Sequence, residues 1–306
     1  MKAEGRVAAE HAGMRLDRYI AEVMKIASRS QLKHYEISAR VNETSAKMSR
    51  RLEEGDTVSV EYIVPPETEI EGEDITLDIL YEDEDVIVLD KPQGMVVHPG
   101  AGNRSGTLIQ GVMHHCSLPA AEFPGLPSRP GVVHRLDKET SGVIIVAKNA
   151  RAHEYLASQF RRRKTKKRYI ALVKGEIRYS GGRVDHPVAR DRHHRKRFTW
   201  TRTDGKSALT RYKVLKRFPG YTLVVLAPKT GRTHQLRVHM LAENHPIVGD
   251  PVYGRRDSRF PEASLMLHAS KLTIRIPKDR EERTFKAPMP KRFRDMLNEL
   301  NRERRD

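Results

Sequence analysis

The residues able to do chemistry sit in three stretches punctuated by Gly and Pro: KPQGMVVHPGAGN at 91–103, GVVHRLDKETSGVIIVAKN at 131–149, and KTGRTHQLRVHM at 229–240, the last followed by GDPVYG at 249–254. In the second, Asp137 lies between His134-Arg135 and Thr140-Ser141-Gly142, just ahead of the apolar run Val143 to Val146. A loop entering a buried strand is where function concentrates. For an arbitrary loop Asp the better reading is a turn cap. Here Arg135, Lys138 and Lys148 are close in sequence and Arg237 is available as a partner, and an adjacent cation favours the charged carboxylate. An ionised carboxylate in a basic groove suits a nucleophile near a sugar carbon.

Other chemistries fit less well. Among the fourteen histidines, His114-His115 and His193-His194 are adjacent pairs, which diverge on a helix or strand. His234 and His239 lack acidic co-ligands at metal spacing, and no HExxH occurs. The sequence has no GxGxxG, no P-loop and no GxSxG elbow, so no metal or nucleotide cofactor is expected. A glycosidase-like hydrolase needs paired carboxylates. Near Asp137 the candidates are Glu139 and Glu154, both more easily read as surface. A non-enzymatic RNA-binding or ribosome-assembly protein, with Asp137 as a structural cap, is the third class.

The charge balance points to a polyanionic partner. Lys and Arg number 57 against 40 Asp and Glu, a net +17 with pI near 10.0, and nucleic acid is the commonest match for such a surface. Two dense runs, RRRKTKKR at 161–168 and RDRHHRKRF at 190–198, read as phosphate contacts because Tyr169, Phe198 and Trp200 flank them. One cysteine, Cys116, leaves no internal disulfide and no CxxC site. No apolar run has signal-peptide or bilayer-spanning length, so the expectation is a cytoplasmic chain without membrane contact. No long heptad run calls for more than a monomer.

These groups need elements to hold them. Residues 1–13 read as a tail, 14–62 as a compact unit, 63–74 as an acidic Pro-containing linker, and 75–306 as one large domain. In the small unit, Leu16, Tyr19, Ile20 and Val23 have helical spacing, Ser28 can cap a second helix from near Ser30 that buries Leu32 and Tyr35, and Thr57 to Tyr62 alternates as a strand. Residues 67–85 hold ten acidic groups and no basic one, which places that tract away from bound phosphates. In the large domain, strands are expected at Val86–Leu89, Val143–Ala147, Tyr169–Val173, Ala208–Val214 and Tyr221–Ala227. Helices are expected at Thr107–His115, Ala150–Phe160 with Tyr155, Leu156 and Phe160 on one stripe, His234–Glu243 and Lys291–Arg302. Strands this closely spaced predict an α+β domain with a mixed, largely antiparallel sheet. Four prolines between His115 and Gly131 predict an irregular loop.

HRLDKETSG at 134–142, KRYIALVKG at 167–175 and GRTHQLRVHM at 231–240 closely resemble signature stretches of the RluA-type pseudouridine synthases. KPQGMVVHPGAGN, GDPVYG and LMLHA at 265–269 are similar to the RluD-type branch, which modifies large-subunit ribosomal RNA, and 14–62 resembles the S4 RNA-binding domain of that branch. The stretch ISARVNETSAK at 37–47 lacks the glycines that usually shape the turns there. The resemblance implies uridine-to-pseudouridine isomerisation without cofactor, on ribosomal RNA or, alternatively, transfer RNA. It implies Asp137 as the catalytic aspartate, Tyr169 as the aromatic against which uracil packs and a candidate base for the C5 proton, and Arg237 as the partner of the aspartate. Arg135 would fill the gap left by a flipped-out uridine. Further substrate contacts are expected at His134, Lys91, Arg232, His234 and Leu267 in the motifs, and at Arg163, Lys166, Lys167 and Arg195 in the basic runs.

Overall fold

The computed structural model describes residues 1–27, 32, 35–63, 70–100, 102–119, 122–123, 129–194 and 197–302. The chain divides into two compact units, Met1–Thr68 and Glu69–Asp306.

The first unit is a four-stranded antiparallel sheet, β1 (Lys2–Arg6), β2 (Glu36–Val41), β3 (Thr44–Ser45) and β4 (Thr57–Ile63), in the order β1-β4-β2-β3. Helix α1 (Leu16–Glu22) packs Leu16, Tyr19 and Ile20 against Val41, Leu52, Val58 and Val60. Residues 1–13 are therefore not a tail. KAEGR carries no apolar pattern, yet its backbone pairs with β4 from Lys2↔Glu61 to Arg6↔Thr57, because ladder bonds are made by every backbone whatever its side chains. The turn without glycine is built by Asn42 and Glu43 at φ 50 and 64. Asn42 stabilises it by donating to Asp56 at 2.7 Å and accepting the Thr57 N–H at 2.9 Å. The helix expected from Ser28–Ser30 lies outside the described residues.

The second unit is built on β5 (Ile79–Glu82), β6 (Val86–Lys91), β7 (Ser141–Ala147), β8 (Lys166–Lys174), β9 (Gly181–Asp185), β10 (Val188–Arg190), β11 (Phe198–Trp200), β12 (Leu209–Phe218), β13 (Tyr221–Pro228), β14 (Leu267–Ile274) and β15 (Arg283–Lys286). The large sheet runs β5-β6-β7-β14-β8-β13-β12-β9 with β15 against β14, and β10–β11 form a separate pair. Among the described strands β7 and β14 are parallel and the other pairs antiparallel, the mixed, mostly antiparallel sheet expected. Strand β7, SGVIIVA, is buried at every position because clusters pack on both of its faces. Among the described residues four helices flank the sheet: α2 (Leu108–His115), α3 (Ala150–Arg161), α4 (Gln235–Ala242) and α5 (Lys291–Arg302). Thr107 and Gln110 form a capping box on α2, and Asn149 caps α3 by accepting the Ala152 N–H. On α3 the buried residues are Ala152 and Leu156; Tyr155 is exposed, so the expected stripe is rotated by about one position.

The segment expected to be linker up to residue 74 packs onto this unit from Ile70, which is buried with Ile87 and Val112, and the Glu73 N–H donates to the Gln110 carbonyl. The acidic tract spends its charge internally. Glu82 meets Lys148 at 2.7 Å and His115 at 2.9 Å, and Asp85 accepts from Asn149 and Arg151 at the start of α3. Of the proline-rich loop, 120–121 and 124–128 lie outside the described residues.

Candidate active site

Asp137 is set by what is buried beneath it. Thr140 N–H closes a turn on the Asp137 carbonyl at 3.0 Å, and Leu136 is buried below. Gly142, at φ 116, follows; a Cβ there would collide with the Ala269 carbonyl, so the crossing of β7 and β14 needs glycine. Lys91 is fully buried and donates to the carbonyls of Pro92, Met95 and Lys138. It is thus a strut under the loop and not an RNA contact, and burial pulls its pKa down to about 7. His134 also turns inward. Its Nε2 accepts the Ile145 N–H at 3.1 Å, its ring stacks on Phe160 at 4.6 Å, and burial lowers its pKa to about 3. As a neutral imidazole it shapes the cavity wall and offers phosphate no charge. Lys148 lies on Glu82, and Lys138 reaches Asn103 at 3.5 Å, so neither surrounds the carboxylate as expected. Lys138 turns out of the loop toward Asn103, and Lys148 lies beyond the far end of β7, so chain proximity did not translate into contact.

The half-buried Asp137 faces a cavity of about 470 Å³ walled by the ends of β8 and β13, the start of α4, and Leu267 at the start of β14. Arg237 Nη1 stands 3.6 Å from Asp137 Oδ2, and His234 Nε2 stands 3.9 Å from the same oxygen. Arg237 has a closer partner, however. Its Nε and Nη2 fork onto Asp250 at 2.7 Å each. Burial opposes its charge, but Asp250 and then Asp137 raise its pKa. Asp250 in turn accepts the N–H groups of Val252 and Tyr253, and the Tyr253 hydroxyl meets His234 Nδ1 at 2.9 Å. His234 adopts φ 55 at the head of α4, and burial lowers its pKa.

Strand alternation sorts the second wall. Lys167 and Tyr169 point into the cavity, whereas Lys166 points away and pairs with Glu282 at 2.6 Å. Lys166 is therefore not at the site. Tyr169 has its pKa raised by burial and by Asp137, so it stays a phenol. Lys167 donates to the Thr230 carbonyl at 3.2 Å, and burial lowers its pKa to about 8. Arg135 and Arg163 are exposed at the cavity edge, and Arg232 lines it while donating to the Ser207 carbonyl. Arg195 lies outside the described residues. Among the described lining residues Asp137 is the one carboxylate; Glu154 pairs with Arg161 on the surface and is not part of the lining. Paired-carboxylate chemistry has no second acid here.

Several groups escaped the sequence reading. Asp250 and Tyr253 lie within GDPVYG, but nothing local marks them as the seat of Arg237. A buried group below the loop joins Ser141 Oγ to His268 Nδ1 at 2.9 Å and to Arg292 Nη2 at 2.6 Å, tying α5 to the starts of β7 and β14. Elsewhere Glu82, His115 and Cys116 bring potential metal-ligand atoms within 4.8 Å of one another. Lys148 already sits on Glu82, and burial pushes the Cys116 thiol up to about 11, so the cluster is an ion-pair knot. Among the described residues no helix is long and apolar enough to cross a membrane.

Residues 85–242 match the family described as RNA pseudouridylate synthase, slightly more than half of the chain. The chain belongs to that family. Its reaction is the isomerisation of uridine to pseudouridine in RNA, and RNA is its substrate. The chain is 39% identical over 297 residues to the uncharacterized RNA pseudouridine synthase YlyB of Bacillus subtilis, covering 96% of each. It is 40% identical over 287 residues to the ribosomal large subunit pseudouridine synthase D of Borreliella burgdorferi, covering 92% of this chain and 87% of that one. Among solved structures, human RNA pseudouridylate synthase domain containing 1 superposes with a TM-score of 0.57 at 31% identity, over 72% of this chain and 86% of that one. The RluA-type resemblance is thereby borne out, and with it the pseudouridine synthase fold of the second unit.

Proposed function

We propose that Asp137 is the catalytic carboxylate, acting on a uridine of large-subunit ribosomal RNA that is flipped into the 470 Å³ cavity. The observation that carries this reading is that Asp137 alone among the described lining residues is an acid, with the Arg237 guanidinium 3.6 Å away. Flipping costs roughly a few kcal/mol of unstacking, which contacts from the basic rim offset. The carboxylate serves either as nucleophile at C1′ or as base toward the sugar; both routes use one carboxylate. The N1–C1′ bond breaks, the uracil turns, C5 bonds to C1′, the C5 proton is lost and N1 takes one up. In this reading Tyr169 packs against the uracil. Its raised pKa suits a phenol surface and not a base for the C5 proton. Arg135 fills the space the uridine leaves. Arg237, fixed by Asp250, orients Asp137.

The ribosomal target is supported by the relatives named ribosomal large subunit pseudouridine synthase D, including those of Borreliella burgdorferi and Escherichia coli. In this reading the first unit binds RNA as an S4 domain, and the working form is a cytoplasmic monomer. Asp137→Asn is expected to bind RNA while losing isomerisation; retained pseudouridine formation would remove Asp137 from its role. Mapping pseudouridines in ribosomal and transfer RNA from cells with and without the gene tests the target. Loss of a site in transfer RNA alone would sink the ribosomal assignment.

A further inference from the structure

We propose that Trp200 is a stacking platform for an unpaired base of the bound RNA, lying outside the cavity that takes the uridine. The inference rests on RNA being the substrate. Trp200 is the single tryptophan of the chain, and the residue is 41% exposed. It follows Phe198 by two positions on β11, so both rings project to the same side of the strand. Phe198 is half-buried against Val238 and Tyr253, whereas Trp200 extends beyond that cluster.

Two features separate Trp200 from an ordinary exposed aromatic. One is a braced ring. The His186 ring stands 5.1 Å from that of Trp200, tilted 30°, and the His186 carbonyl accepts from the fully buried His239 of α4 at 2.9 Å. The other is its charge setting. The Arg202 guanidinium lies 6.0 Å from the Trp200 centroid, and residues 188–206 carry seven Lys and Arg against two Asp. Both acids are engaged locally, Asp204 by Arg192 at 2.6 Å and Asp191 by the N–H groups of His193 and His194. An aromatic face beside a guanidinium in a positive field is what holds an unpaired base together with its phosphate. A duplex offers no free base face, so the platform selects single-stranded RNA.

The platform is also tied to the cavity. The Phe198 N–H donates to the Tyr253 hydroxyl at 2.8 Å, and that hydroxyl meets His234, whose Nε2 is 3.9 Å from Asp137. A base held on Trp200 thus fixes the strand relative to the wall that carries His234.

Because there is one tryptophan, emission from the intact protein reports on this position directly. Saturation with an unlabelled, mixed-sequence single-stranded oligoribonucleotide is expected to quench it, and the same strand annealed to its complement to quench it less. By anisotropy of the fluorescein-labelled strand, Trp200→Ala should bind roughly tenfold more weakly. The dependence of affinity on salt should not change, since no phosphate contact is removed. Trp200→Phe should bind nearly as tightly as the parent. Anisotropy that rises while emission of the parent protein stays constant overturns the proposal, as does parent-like affinity of Trp200→Ala or failure to bind the strand at all. Neither emission nor anisotropy depends on isomerisation, so failure of the Asp137 assignment leaves this result intact.

Discussion

The two cationic walls of the cavity handle charge in opposite ways. On the α4 wall, Arg237 is buried and forked onto Asp250, whose side chain is completely enclosed, so its charge is matched before any substrate arrives. On the β8 wall, Lys167 has the Thr230 carbonyl as its hydrogen-bond partner, and burial pulls its pKa down to about 8. The first wall is rigid and preformed, which suits a group that must orient Asp137. The second carries no matching carboxylate among the described lining residues, which would suit the phosphate contact expected of Lys167. A guanidinium fits the first role because its planar fork matches a carboxylate; an ammonium fits the second because its proton affinity responds to its surroundings.

Breaking the preformed wall should have the largest effect. Asp250→Asn leaves Arg237 buried without its counter-charge, and a loss of about 3–5 kcal/mol of stability is expected from urea unfolding, together with reduced turnover. A loss below about 1 kcal/mol would mean that Arg237 re-pairs without penalty, and the contrast between the walls would fail.

The responsive wall should show itself through pH. Folded Lys167 has a pKa near 8, below its ordinary 10.5, so between these values the unfolded chain binds more protons and stability rises with pH. Lys167→Met should flatten that rise in unfolding curves taken across this range. A bound phosphate raises the same pKa, so RNA affinity should fall as pH climbs past about 8 in the parent and lose that component in Lys167→Met. Equal pH profiles for the two proteins would assign the phosphate contact elsewhere. The smallest effect is expected at the neighbouring charge. Lys166 pairs with Glu282 on the surface, and Lys166→Ala should change stability by less than about 1 kcal/mol and leave turnover unchanged.

Much of the framework was legible because it is local. Thr107 followed by Gln110 announces the start of α2, the apolar run Val143 to Val146 announces β7, and the β-branched, apolar composition of Tyr221–Ala227 announces β13. Strand β1 and the pair β10–β11 were not legible. KAEGR and the segment around RDRHHRKRF lack an apolar period, and their pairing depends on partners distant in sequence or across a long basic loop. At the site, Asp137, Tyr169 and Arg237 were nominated and do line one cavity. Lys91 and Lys148 were misread because a lysine in sequence carries no sign of whether its ammonium will face solvent, three carbonyls or a carboxylate.

The sequence by itself determined which residue types were available: Asp137 in a loop ahead of a buried strand, a basic surface, an aromatic after a run of cations, and the motifs that place the chain in its family. Those follow from composition and short-range pattern. Tertiary structure alone decided the pairings. Asp250 is 13 residues from Arg237 and buried with it, and Lys166 and Lys167 are neighbours sent to opposite faces of one strand. Charge becomes chemistry only after burial has set its dielectric surroundings and geometry has chosen its partner.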